Sequence, residues 1–183
     1  MPVFLPGELF PRQTAPIIVE RSAEHGAVRV LGLARFGLVP HWAKELAVGN
    51  KLFNARAETL SEKPAFRDSF ARRRCLVPVS AFYEWQKDAA GKSHRFRFAP
   101  AGGGLWALAG LWSNWRGPGG EKVGSFTIIT TRPNAVVAPI HDRMPVILPE
   151  AGYEAWLSPA SDPATLASWL VPCPDEWVTM EGG

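Results

Sequence analysis

Cysteine is scarce in this chain of 183 residues: there are two, Cys75 and Cys173. Two thiols cannot build a disulfide scaffold or a four-cysteine zinc site, so a reducing compartment is the expected setting. Charge of one sign is scarce as well. Twenty Lys and Arg against seventeen Asp and Glu leave +3, which excludes polyelectrolyte binding of the histone type and still permits a local basic groove. No apolar run approaches the roughly 20 residues of a membrane span. The opening Met1-Pro2-Val3-Phe4-Leu5 lacks the basic stretch that precedes the apolar part of a secretory signal. A soluble, cytoplasmic protein with no membrane partner is expected. Familiar catalytic signatures are missing too. There is no G-x-x-x-x-G-K-[ST] phosphate loop and no G-x-G-x-x-G between a strand and a helix. Gly91-Lys-Ser-His-Arg95 fails the last position of a G-x-S-x-G elbow and sits in a turn. His25, His41, His94 and His141 show no H-x-x-x-H spacing and no neighbouring cysteine pair, so no metal site and no cofactor is expected.

What is present is aromatic and punctuated. Eight Trp and ten Phe are many for this length, and seventeen Gly and seventeen Pro are spread along the whole chain. Punctuation of that kind divides a sequence into short strands joined by turns. Residues 27–39, 74–85, 94–98, 105–112, 125–131 and 144–148 read as β-rich, and residues 11–19 as a short extended approach. Residues 58–73 carry a helical pattern, with Ser61 able to cap and Phe66 and Phe70 on one face. Residues 149–157 and 163–170 read as short helices opened by proline. The sum is one α+β domain over residues 1–183, predominantly β, with a curved or barrel-like sheet flanked by short helices.

Several polar residues lie beside apolar strand segments, where burial is costly unless they are used or satisfied. They are Asn54, Arg56 and Glu58 in Asn54-Ala-Arg-Ala-Glu58, Glu84 in Phe82-Tyr-Glu-Trp85, and His141, Asp142 and Arg143 ahead of Met144-Pro145. Each also has a plain structural reading. Alternation alone reads Glu84 as the polar face of its strand, His141 as a satisfied core histidine and Asn54 as a turn residue. Arg143 is open to a structural pairing with Asp142 or Glu58. The run Arg72-Arg73-Arg74 reads as a solvated helix end, with an extension of a nucleic-acid footprint as the alternative.

Taken together, these segments resemble the SOS-response-associated peptidase (SRAP) domain, the abasic-site processing family. The pieces occur in family order: Gly37-Leu-Val-Pro-His-Trp42, Asn54-Ala-Arg-Ala-Glu-Thr59, Arg74-Cys-Leu-Val-Pro78, Ala81-Phe-Tyr-Glu-Trp85, Ala107-Leu-Ala-Gly-Leu-Trp112, Phe126-Thr-Ile-Ile-Thr130 and Ile140-His-Asp-Arg-Met-Pro145. The similarity runs through residues 28–157. It implies binding to single-stranded DNA, above all at abasic sites, in DNA-damage repair linked to the SOS response. In the family a cysteine directly after the initiator methionine is exposed by self-processing. Its α-amine condenses with the ring-opened sugar aldehyde, and its thiol closes a thiazolidine, leaving a DNA–protein crosslink. Carried onto this chain, Asn54 would orient the nucleophile, Glu84 would shuttle protons at the amine, and His141 would be the general acid that opens the sugar ring. Arg56 and Arg143 would hold phosphates, and Trp42 would stack on bases. A glutamate among aromatics is expected to titrate above its usual range, and a histidine already titrates near neutrality.

The sequence departs from the family at one place that matters. Position 2 is proline, and Ala81 and Phe36 replace the usual glycine and tryptophan. Pro11-Arg-Gln-Thr-Ala-Pro16 resembles a segment that lies some tens of residues into family members, so an N-terminal piece bearing the cysteine is expected to be absent. Four readings follow: an abasic-site crosslinking enzyme whose sequence is incomplete, a noncatalytic single-stranded-DNA binding module, a peptidase acting on other proteins, and an abasic lyase working through an iminium at Pro2. A monomer with no cofactor is expected in each.

Overall fold

The computed structural model describes residues 7–24 and 26–182, so Pro2 and His25 lie outside the described residues. Ala15, Ile17 and Val19 are buried at every second position, the period of a strand with one face in the core. They define β1 (Thr14–Ala23), which pairs antiparallel along its whole length with β2 (Gly26–Phe36). The extended approach expected over residues 11–19 is therefore half of a long hairpin. The chain continues through β3 (Asn54–Arg56), α1 (Arg67–Arg72), β4 (Arg74–Val79), β5 (Phe82–Lys87), β6 (Ser93–Pro100), β7 (Trp106–Arg116), β8 (Lys122–Thr131), β9 (Met144–Pro145), β10 (Ile147–Leu148), α2 (Tyr153–Leu157), α3 (Pro163–Ser168) and β11 (Val178–Gly182).

Strands β7, β4, β1, β2 and β8 follow one another in a sheet that closes on itself through the β7–β8 pairing. Closure pairs the strand edges that an open sheet would leave free. Its inner face holds Ile17, Val19, Phe36, Cys75, Val77, Leu108 and Phe126, with Phe36 and Phe126 stacked at 5.1 Å. The opposite face carries Ala55, Leu76, Ala109, Leu111 and Ile129, covered by Leu60, Phe66, Trp156, Leu157 and Leu166 from the helical segments. A second sheet, β11-β6-β5, packs Phe82 on Phe98 at 4.9 Å and continues the first cluster. The fold is thus predominantly β, barrel-like and flanked by short helices. No helix among the described residues is long and apolar enough to cross a membrane.

Local details differ from the sequence pattern in instructive ways. The helix expected over residues 58–73 reduces to a 3-10 turn (Ala57–Thr59) and α1, and the N-cap of α1 is Phe66, with no role for Ser61. Pro64 explains the break, because the residue before a proline is pushed out of helical geometry. Leu60 and Phe66 are then buried by a turn. Residues 144–148 form two strands because Val146 spans the gap between β8 and β7: its N–H donates to Ile129 O and its carbonyl accepts from Ala109 N–H, each at 2.9 Å. Both C-terminal helices begin at their prolines. Pro149 is the N-cap of a 3-10 turn (Glu150–Gly152) that runs into α2. Helix α3 has Pro163 in its first turn, with Asp162 Oδ1 accepting from Ala164 N–H at 2.9 Å.

Arg74 is a correction. It is no solvated helix end but 2% exposed. Its guanidinium donates to Phe70 O (2.6 Å) and Ala71 O (2.7 Å) at the end of α1. It also donates to Trp156 O (2.6 Å) and Ser158 O at the end of α2. Terminal helix carbonyls lack intrahelical partners and sit at the negative end of the helix dipole. One cation therefore caps two helices.

Candidate active site

Strand β3 is short, yet its pairing determines where the polar residues go. It runs parallel to β8, with Asn54 opposite Ile128, Ala55 opposite Ile129 and Arg56 opposite Thr130. Ala55 and Ile129 are buried under the helices. Alternation therefore turns Asn54 and Arg56 to the other face of the sheet, where both are exposed. On the far side of β8, Thr130 is opposite Pro145 of β9. Residues 140–143, just ahead of β9, arrive at the same end of the sheet.

Glu84 comes from the second sheet. Its neighbours in alternation are Phe82, which packs on Phe98 and Trp106, and Gln86, whose Nε2 donates to Pro139 O at 2.5 Å. So Glu84 lies on the packed face of β5, and the solvated face belongs to Tyr83 and Trp85, over which Arg95 lies at 3.7 and 5.6 Å. Alternation reads Glu84 as the polar face of its strand, and the structure leaves it half-buried on the face that Phe82 packs. The Gln86 tether was not anticipated, though sharing a face with Phe82 was its signal.

Glu84 Oε2 stands 3.7 Å from His141 Nε2, with the glutamate side chain 24% exposed. That separation is beyond a direct hydrogen bond and within ion-pair range. Burial pushes the Glu84 carboxyl above its ordinary value; His141 pulls it back and Asp142 adds to the rise. On its other side, His141 Nδ1 lies 3.1 Å from both the N–H and the carbonyl oxygen of Arg143. A bare Nδ1 accepts from that N–H, and a protonated Nδ1 donates to that carbonyl. Every protonation state of the imidazole thus has a partner at Nδ1, and Nε2 is free to exchange a proton.

Arg143 is engaged by its side chain. Nη1 and Nη2 donate to the two oxygens of Glu58 at 2.8 and 2.9 Å, and Nη2 also donates to Thr130 O at 2.6 Å. That hydrogen bonding holds the Glu58 carboxyl below its ordinary value. Of the two partners open for Arg143 in the sequence, Glu58 takes the fork, and Asp142 has its side chain 84% exposed. Trp42 is 53% exposed, on a turn that is itself pinned. Val39 N–H donates to Ser125 Oγ at 2.8 Å, and Ala43 O accepts from Trp115 Nε1 at 2.7 Å. The turn departs from β2 at Gly37, where φ is +117° and a Cβ would strike the Gly49 carbonyl oxygen. No contact among the described residues joins Trp42 to Asn54, Glu84 or His141. Both cysteines are buried away from this site. Burial pushes the Cys75 thiol far up and the Cys173 thiol up to about 12, so neither offers a thiolate.

The SOS response associated peptidase (SRAP) model matches residues 8–181. The abasic site processing protein YoqW of Bacillus subtilis (strain 168) is 45% identical over 148 residues, covering 80% of this chain and 66% of that protein. The abasic site processing protein HMCES of Gallus gallus is 31% identical over 188 residues, covering 88% of this chain and 56% of that protein. The chain thus spans about two thirds of the one and little more than half of the other. A crystal structure of a Bordetella bronchiseptica protein superposes with a TM-score of 0.85 at 28% identity over 100% of this chain and 89% of its own. One from Bacteroides thetaiotaomicron gives 0.83 at 29% identity, over 93% of this chain and 74% of its own. A match that runs through β1 to β11, and through every segment that carries Asn54, Glu84 and His141, makes this chain a member of the SRAP family.

Proposed function

We propose that the protein binds single-stranded DNA and processes abasic sites, with Asn54, Glu84 and His141 as its acid–base group and Trp42, Arg56 and Arg143 on the strand. The observation that carries this reading is the Glu84–His141 pair. A carboxyl held above its ordinary value by burial faces an imidazole nitrogen at 3.7 Å, and proton transfer near neutrality needs groups tuned in this way. An abasic deoxyribose is mostly a closed ring. His141 Nε2 gives a proton to the ring oxygen as the ring bond breaks and the C1 hydroxyl proton passes to solvent, which frees the aldehyde. An amine then adds, and the aldehyde oxygen leaves as water while Glu84 relays the protons. Asn54, exposed on β3, orients the amine.

The strand surface follows from exposure. Arg56 supplies a charge-assisted phosphate contact, and Trp42 is a large ring on a rigid turn, suited to base stacking. Arg143 retains one Nη1 hydrogen for a phosphate beyond its bonds to Glu58 and Thr130. Thiazolidine formation needs an α-amine and a thiol on one terminal residue, and position 2 is proline. Once Met1 is removed, the secondary amine of Pro2 would form an iminium with the aldehyde instead, the aldehyde oxygen leaving as water. Loss of the neighbouring sugar proton then expels the 3′ phosphate, a lyase outcome. The second reading, a binding module without chemistry, is favoured by that same proline together with the exposed Trp42 and Arg56.

One experiment separates these. The protein is mixed with single-stranded DNA carrying one abasic site and run on denaturing gels with and without borohydride. An adduct trapped only by borohydride, lost in Glu84→Gln and His141→Gln, is the expected result. A heat-stable adduct without reductant would instead reveal a thiol route. If no adduct forms, the acid–base assignment fails and the binding module stands. In parallel, Arg56→Ala should weaken strand binding and lower its salt slope by about 0.7 for the lost phosphate contact; an unchanged slope removes Arg56 from the strand surface.

A further inference from the structure

One carboxylate in this site has both oxygens engaged and no role in the proton chemistry. Glu58 follows directly on the β3 segment, and its fork with Arg143, at 2.8 and 2.9 Å, closes across 85 residues of chain. The same guanidinium donates to Thr130 O at 2.6 Å, and its Nε is buried without a partner among the described residues. Of five guanidinium hydrogens, three serve Glu58 and Thr130, and the one on Nε is enclosed. An arginine kept for phosphate presents a pair of parallel donors, as the exposed Arg56 is free to do. Arg143 has no such pair left.

What the fork does hold is the Arg143 backbone. Its N–H and carbonyl flank His141 Nδ1, each at 3.1 Å. The rest of the segment has fewer ties: His141 N–H donates to Val137 O at 3.0 Å, and Gln86 reaches Pro139 O. Thr130 is set in the sheet, between Arg56 and Pro145, so the guanidinium links residue 143 to a rigid strand. If that link is lost, the 141–143 turn can rotate and the peptide around Nδ1 moves with it.

We infer that Glu58 is a positioning residue for His141: by holding Arg143 against Thr130, it fixes the peptide that cradles Nδ1 and keeps Nε2 directed at Glu84. The inference rests on His141 being the proton donor of the proposed reaction, and it also makes a claim about the free protein that needs no DNA.

The test reads the imidazole directly. Ring nitrogens are labelled with 15N, His141 is assigned through His141→Gln, and Glu58→Gln and Arg143→Lys are compared with the parent. Both variants keep side-chain size, and lysine keeps the charge while losing the fork. The His141 nitrogen signals should move toward those of a free, tautomer-averaged imidazole in both. The His94 signals, held by Asp88 at 2.9 Å near the turn of the β5–β6 hairpin, should stay. With abasic DNA, the borohydride-trapped adduct of Glu58→Gln should form roughly tenfold more slowly, the cost of a misplaced group, with strand affinity unchanged. Unmoved His141 signals in both variants overturn the inference. So does a loss of strand affinity in Glu58→Gln without movement at His141, which would make the fork part of the strand surface. If the parent forms no adduct yet the signals move, the positioning claim holds while the proposed reaction fails.

Discussion

Two arginines anchor two regions of this molecule, and their partners differ in kind. At the junction of α1, β4 and α2, Arg74 is buried and satisfied by carbonyl oxygens, those of Phe70, Ala71, Trp156 and Ser158. At the end of β8, Arg143 has one carbonyl partner, Thr130, and one carboxylate, Glu58. Carbonyls are fixed dipoles of the backbone, so Arg74 holds architecture whatever the pH. A carboxylate titrates, and the Arg143 region also contains the half-buried Glu84 and His141. Burial with backbone partners marks the structural arginine; a titratable partner beside other titratable groups marks the one for which we propose a function.

The contrast is broken or sharpened most forcefully at Arg74. Arg74→Met removes the guanidinium and leaves helix carbonyls buried without donors, an expected loss of about 4 kcal/mol by urea unfolding. Strand affinity of the folded fraction should be unchanged; a variant as stable as the parent would dismiss the capping argument.

A smaller effect, with a distinctive pH signature, is expected at Glu84. Its carboxyl is raised in the folded state, so the native protein binds the extra proton over the interval from the ordinary value of 4.5 upward. Stability therefore falls as pH rises through that interval. Glu84→Gln abolishes this fall, so the variant gains on the parent with rising pH and the gap then levels off. Glu58 is lowered and behaves oppositely: its contribution is present above its unfolded value and is lost as pH falls through the folded one. Unfolding midpoints measured from pH 3 to 8 would show both trends, and a gap between parent and Glu84→Gln that does not vary with pH would remove the burial effect.

The smallest expected effect belongs to Ser61, exposed in a turn and not at a helix start. Ser61→Ala should change stability by less than about 0.5 kcal/mol. A loss near 1 kcal/mol, typical of a cap, would restore the longer helix that the pattern of Phe66 and Phe70 suggested.

Much of the β architecture was legible because it depends on short-range pattern. Alternating apolar residues in 15–19 and the glycine-rich turns mark strands and their ends. The helix over 58–73 was misread because its two phenylalanines have helical spacing, and Pro64 counted for less than it should. The C-terminal strand β11 carries no strand pattern of its own, since only Val178 is buried in it; pairing with β6 makes it a strand. Asn54, Glu84 and His141 were legible only through the family resemblance, because each has an ordinary structural reading when taken alone.

What the sequence by itself determined is the class of fold, the family, and the residue types available for acid–base work. All of these depend on composition and on motifs within a few residues of each other. Only the tertiary structure decided that Glu84 lies on the packed face of β5, that Arg74 is architecture, and that Glu58 rather than a phosphate fills the fork of Arg143. Those outcomes depend on partners 53 to 85 residues apart in the chain, brought together by strand register and burial. Local sequence carries no record of such distances.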